Sequence, residues 1–322
     1  MMKKAAVRAV SILAYWLGLD ALFYLLNRRA KRIVTFHNVI PDDLWVPFPN
    51  LVSNKASEFA KIVGEVGRRF KFSTDVLDPD TVTLTFDDGY LNQYEVAGRM
   101  LMERGIPAVV FAAGDALAAK EPDGALVVDQ LMHWLGLVPE DVIGAGGRLR
   151  HWMQTVRPRY AGDGKSRGRN ALRELDSRYP MKDIWAKLPA EYLRLRLTGI
   201  PREKLDDLRN HGWTIGWHSR THYPLSSLGD DEIRSEIAPP DGFKGVVFSY
   251  PYGERLSVDE RCVRIARESG YPCAVSNESG RSSLAGRFFL PRMSLHPDRY
   301  RLHFRLSGLE HFLKTGRLLP VV

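Results

Sequence analysis

The chain has 322 residues and a mass of 36.5 kDa, enough for one large α/β domain or two modest ones. Its content, 44% hydrophobic and 10% aromatic, is that of a globular chain and excludes a disordered one. The 46 Lys+Arg against 38 Asp+Glu give a formal +8, which suits an anionic partner, yet no nucleic-acid motif accompanies that charge. Cys262 and Cys273 are too few for a disulfide framework and are not spaced as a metal site, so the compartment, membrane-associated or cytoplasmic, stays open.

Residues 1–32 stand apart. Lys3, Lys4 and Arg8 precede an apolar run from Ala9 to Leu26, broken by Ser11 and Asp20 and closed by Arg28, Arg29, Lys31 and Arg32. That length is near the lower limit for a bilayer span, and Asp20 within it would cost roughly 2.5–3.5 kcal/mol on insertion. With no small-x-small cleavage site following, the run reads as a helix lying on a membrane surface or packed on the protein, in preference to a span.

The main domain is expected over 33–322. Ile33 to His37 reads as a first strand, Pro41–Pro49 as a loop, and Phe59, Ile62, Val63 and Val66 as the inner face of a helix over Ala56–Arg69. Val82–Phe86 is a buried strand ending at Asp87-Asp88-Gly89. A helix is expected over Tyr90–Arg104 and a strand over Ala108–Ala112. Between about 115 and 200 strand signals vanish, which predicts an inserted helical subdomain with an exposed basic loop over Arg157–Arg169. The alternation resumes with a helix at Arg202–Asn210, a strand at Trp213–Trp217 and a helix at Asp230–Ile237. Strands then follow at Val246–Tyr250, Ala274-Val275 and Phe288–Met293, with a helix at Val258–Ser269 and a closing one at Arg299–Lys314. Strands alternating with helices predict a parallel sheet or barrel whose site lies at the carboxyl ends of the strands.

Polar residues gather at those ends. Two adjacent carboxylates repel each other, so Asp87-Asp88 calls for a cation or a division of roles. His218 and His222 are four residues apart, a spacing that puts both imidazoles on one face of a helical turn. Two imidazoles and one carboxylate suit Zn2+ and accept Co2+ or Ni2+. The second carboxylate is then available as general base. Each motif also has a plain reading, an Asp-Gly turn or two half-exposed histidines, and Pro251-Tyr252-Gly253 taken alone is simply a turn.

Thr85-Phe86-Asp87-Asp88-Gly89, then His218-Ser219-Arg220-Thr221-His222, then Tyr250-Pro251-Tyr252-Gly253 resembles, in this order, the polysaccharide deacetylase family, carbohydrate esterase family 4. The resemblance covers roughly 33–115 and 200–300. It implies an irregular (β/α) barrel and removal of acetyl groups from N-acetylated sugars by metal-assisted hydrolysis. It implies Asp87 as base, Asp88, His218 and His222 as metal ligands, and the Tyr252 backbone N–H as an oxyanion donor. Tyr250 and His37 are expected on the substrate side.

Some family features are altered. The arginine that often opens the third motif is replaced here by Phe248-Ser249-Tyr250, and Arg292 in the last strand is the candidate to supply its charge. An Asp-plus-Trp motif has no clear counterpart. The late Leu-x-His has a loose match in Ser294-Leu295-His296, so His296 reads either as the general acid or as a solvated loop histidine. His37 reads as acid, substrate contact or packed strand-end residue. The expected function is deacetylation of an N-acetylated glycan or its lipid-linked oligosaccharide precursor, near a membrane surface if residues 1–32 dock there. The alternative is a non-catalytic glycan-binding or scaffolding member of the same fold.

Overall fold

The computed structural model describes residues 2–47, 53–143, 165–243, 246–278, 284 and 286–320. Most of the expected basic loop at 157–169, and the end of the Pro41–Pro49 loop, lie outside the described residues.

The strand signals become a single parallel sheet. Its staves are β1 (Arg32–Phe36), β5 (Thr81–Asp88), β6 (Val109–Ala112), β7 (Thr214–Trp217), β8 (Phe248–Ser249) and β9 (Ala274–Val275), paired in that order. A short β4 (Lys71–Phe72) pairs with the start of β5, while β2 (Asn38–Ile40) and β3 (Ser53–Lys55) form a separate two-stranded ladder. The segment 290–293 is not a regular strand. Leu290 bridges Val275 on β9 and Met293 bridges Val34 on β1, so this stretch joins the two free edges and curls the sheet into a barrel.

Alternation along the strands sorts their side chains into two layers. Ile33, Val109, Phe111, Val247, Val275 and Leu290 form a small core enclosed by the strands. Two residues on from Val247 and Leu290, at the carboxyl ends, the inward positions turn polar as Ser249 and Arg292. The outward positions, Val34, Phe36, Leu84 and Phe86 among them, pack under helices in the main core.

Between β6 and β7 the chain is helical, chiefly at Val127–Leu137, Lys165–Arg178, Met181–Trp185 and Ala190–Leu197. Leu131, Trp134, Ile184 and Tyr192 place them in that same main core. Tyr90–Arg104 is not a simple helix: a π-helical turn, Gln93–Gly98, leads into Arg99–Met102. The closing helix is likewise two, Arg299–Leu306 and Leu309–Thr315, broken at left-handed Gly308. The N-terminal run divides at left-handed Gly18 into α1 (Met2–Trp16) and α2 (Leu19–Leu26).

Candidate active site

β5 carries Asp87 and Asp88 to the barrel mouth, both buried. Asp88 has φ 88° and Gly89 φ 92°, so the chain turns sharply, sending the two carboxylates in different directions. Left-handed backbone is uncommon outside glycine and costs of order 1–3 kcal/mol per residue. The non-glycine examples among the described residues are Asp88, Ser219, His222 and Tyr252, all within the three motifs. That concentration of strain marks the site.

His218 follows β7 and His222 comes four residues later, but the stretch between them is not a helical turn. Left-handed Ser219 and His222 bring the rings together instead, with centroids 4.9 Å apart, and Ser219 Oγ accepts from the His222 N–H at 3.1 Å. His222 Nε2 stands 3.5 Å from Asp88 Oδ1 and His218 Nε2 stands 3.9 Å from it. Two ligands of a tetrahedral zinc are roughly 3.3 Å apart, so these three groups need little movement to close on one ion. His218 Nδ1 lies 2.7 Å from the Ser249 carbonyl, which selects the tautomer with Nδ1–H donating and Nε2 left with a lone pair toward Asp88. Burial lowers the pKa of both imidazoles, that of His218 to about 3, so both are neutral as a ligand must be. Burial, with the charges of Asp129 and Asp87, pushes the Asp88 carboxyl upward, a misfit that a dication would relieve. The donor set fits a divalent metal.

Asp87 is held differently. Arg292 Nη1 donates to Oδ1 at 2.7 Å and Nη2 to Oδ2 at 2.5 Å. The same guanidinium reaches Thr85 Oγ1, Ser249 Oγ and the Ser276 carbonyl, and lies over the Phe111 ring. Burial alone would raise the Asp87 carboxyl, but the charge and the hydrogen bonds of Arg292 outweigh it and hold it well below the usual range. The two aspartates have been pushed apart in affinity for a proton, the mark of a divided pair.

His37, just past β1, places Nε2 3.9 Å from Asp87 Oδ2 and remains partly open to solvent. Tyr252 is left-handed, and its ring leans on His222 with centroids 4.9 Å apart. His296 is not brought into this cluster. It is exposed before helix Arg299–Leu306, with Nδ1 accepting from the Asp298 N–H. Tyr250 corrects the expectation of a substrate contact. It is fully buried, its ring packs edge-on against Phe248, and its hydroxyl donates to the Phe288 carbonyl. The strand's alternation turns Ser249 inward and Tyr250 outward.

Several supporting residues lie outside the motifs. Glu236 takes the Thr221 N–H and hydroxyl at 2.8 Å each, clamping the turn between the two histidines. Its signal in the sequence is an acid on the buried face of Asp230–Ile237, beside Ile233 and Ile237. Gln93, at the start of the π-helical turn, donates to the carbonyls of His37 and Asp87. Behind Asp88, Tyr90 donates to Asp129, and Arg196 pairs with the other oxygen of that carboxylate at 2.7 Å. Both charged partners come from the helices between β6 and β7.

The barrel is comparable with known structures. The deacetylase PplD from Streptococcus pyogenes, solved in complex with acetate, superposes with a TM-score of 0.50 over 84% of this chain and 93% of its own, at 12% identity. The chain shares the deacetylase fold. IcaB from Ammonifex degensii (TM-score 0.49, 15% identity, 86% of this chain and 97% of that one) is also similar. So is a de-N-acetylase from Aggregatibacter actinomycetemcomitans (0.49, 11%, 83% and 95%). No protein-family model matches the sequence, and no curated protein matches it.

Proposed function

We propose that this deacetylase-fold chain is a metal-dependent hydrolase removing acetyl groups from an N-acetylated sugar, in a cell-surface or extracellular polysaccharide or its lipid-linked precursor. The observation that carries the reading is the division of labour between adjacent aspartates: Asp87 gripped by Arg292, Asp88 facing two neutral histidines.

Asp88, His218 and His222 would hold the ion, Zn2+ or in its place Co2+ or Ni2+. When bound, it would polarise the acetyl carbonyl and raise the acidity of the attacking water. Asp87 accepts that water's proton. Because Arg292 makes Asp87 a weak base, the arrangement suits a water already acidified, and the two-pronged grip keeps one carboxylate orientation throughout. The Tyr252 backbone N–H is assigned to the developing oxyanion. His37, whose ring stands beside Asp87 and is open to solvent, is assigned the proton returned to the leaving amine, a role its position suits better than that of His296.

The test is acetate release from a chromogenic acetyl ester and from an acetylated glycan, with Zn2+ or Co2+ added. Asp87→Asn should abolish release while the protein still binds Co2+ spectroscopically. Activity retained in that variant, or after chelation, overturns the reading.

A further inference from the structure

Nine of the large apolar side chains exposed among the described residues belong to α1, α2 and the bend between them. On α1 and the bend they are Val7, Val10, Leu13, Trp16 and Leu17, with Trp16 74% and Leu17 64% exposed. On α2, Leu19, Leu22, Leu25 and Leu26 recur at i, i+3, i+6 and i+7, which is one face of a helix. The opposite face of α2 carries Asp20, Phe23 and Tyr24, all buried.

The C-terminal helix extends this surface. Phe312 packs on Phe23 with ring centroids 5.0 Å apart, and the Leu319 N–H donates to Asn27 Oδ1 at the end of α2. Exposed Leu313 and Leu318 therefore flank the leucines of α2. Two adjacent N-terminal helices and a C-terminal segment far from them in sequence present one apolar face.

No single helix among the described residues is long and apolar enough to cross a membrane. The pair Ala5–Trp16 and Leu19–Leu26 meets that test only together, and it is bent by 81°. Its inner side is also fastened to the body. Arg8 pairs with Asp298, Arg299 donates to Tyr15, Tyr24 bonds His303, and Asp20 lies 3.4 Å from Ser307 Oγ. Spanning would break these contacts and carry Asp20 into hydrocarbon. Lying flat keeps them all.

Charge narrows the choice of what covers the face. Residues 5–29 contain a single acid, Asp20, and it is buried. Exposed Arg28, Arg29 and Arg317 edge the leucines. Beneath the bend at Gly18 opens a groove of about 670 Å³ that Arg68, Arg69 and Arg299 share with Asp20 and Glu65. An apolar face with an interfacial tryptophan and a basic margin is the pattern of a helix seated at an anionic lipid surface.

We infer that α1, α2 and the helix Leu309–Thr315 form a docking face by which the folded chain rests on an anionic phospholipid bilayer without crossing it. This attachment is independent of the chemistry at Asp87.

Flotation of the full chain with vesicles tests it, using phosphatidylcholine alone and phosphatidylcholine with a minority of phosphatidylglycerol. The mixed vesicles should bind the chain strongly. Leu22→Glu with Leu25→Glu should weaken binding by roughly a hundredfold, since two leucines lose their burial. Arg28→Gln with Arg29→Gln should remove most of the preference for phosphatidylglycerol. All four positions are exposed, and an unchanged thermal midpoint verifies folding of each variant. Absence of binding to both vesicles, or equal binding by the leucine variant, overturns the inference. So does a self-associated form in sedimentation that the leucine variant disperses while the parent ignores vesicles, because the face would then join two copies.

Discussion

Arg292 and Asp87, 205 residues apart in the chain, meet through a two-pronged contact with neither side chain exposed. The charge that the third motif lacks thus arrives from the far end of the sequence and holds both oxygens of the aspartate. Arg292→Met would leave Asp87 buried and unpaired, at a cost of about 3–5 kcal/mol in stability by urea unfolding. Acetate release should fall roughly a hundredfold or more as the carboxylate loses its orientation. Asp87 is depressed by Arg292, so it adds stability above the ordinary carboxylate pKa that is lost as pH falls toward its lower folded value. In the variant, burial acts without opposition and the acid limb of the pH–rate profile should move upward. Arg292→Lys should restore part of that profile but not the rate, because an ammonium lacks the fork.

Glu236 lies outside the three motifs, yet both its oxygens bind Thr221 between His218 and His222. Glu236→Ala should weaken Co2+ binding by roughly ten- to a hundredfold, the usual effect of losing a contact that orients ligands. Titration followed by the Co2+ absorption bands measures it. An unchanged affinity would show that the left-handed residues hold the turn unaided.

Gly253 has φ 62°, and a Cβ placed there would meet the Asn277 backbone nitrogen at 2.5 Å. The carbonyl of Gly253 accepts from that same N–H at 2.9 Å, so the two loops cannot simply separate. Gly253→Ala should cost at least about 1–2 kcal/mol from the left-handed conformation alone, with the clash added. Urea unfolding at neutral pH checks the value.

His133 is buried among the helices between β6 and β7, placed between the Asp129 carbonyl, at 2.7 Å, and the Tyr192 hydroxyl, at 3.0 Å. Burial and then the Arg196 charge lower its pKa to about 3. The unfolded chain binds a proton near pH 6.5 that the folded chain refuses, so stability falls as pH drops from about 6.5 toward 3. One such group contributes up to about 1.4 kcal/mol per pH unit within that window. Urea midpoints measured across it should show a shallower slope in His133→Gln.

The sequence made the site's nucleus readable because its chemistry is local: Asp87-Asp88 end one strand, and the His218–His222 pair and the Tyr252 turn each follow another within a few residues. The helices Arg202–Asn210 and Asp230–Ile237 were readable to the residue, being bounded by proline, glycine or asparagine signals. Periodicity does not report a local left-handed residue. The N-terminal run therefore reads as one helix although Gly18 bends it, and the histidine pair reads as a helical turn although Ser219 and His222 build a different loop. Contacts between distant elements leave fainter traces. Asp129 and Arg196 are a polar residue inside an apolar helix and an arginine between leucines, and nothing in either pattern names the other.

The closing stave is a few residues long and touches each neighbouring strand through a single bridge, and it carries Arg292. A ribosome delivers that stave after every other part of the barrel. The nascent chain therefore displays Asp87, Asp88 and both histidines long before the guanidinium that grips Asp87 emerges. Asp87 is therefore left without its fork until the ring shuts, so the pairing of two side chains doubles as a mark of barrel closure.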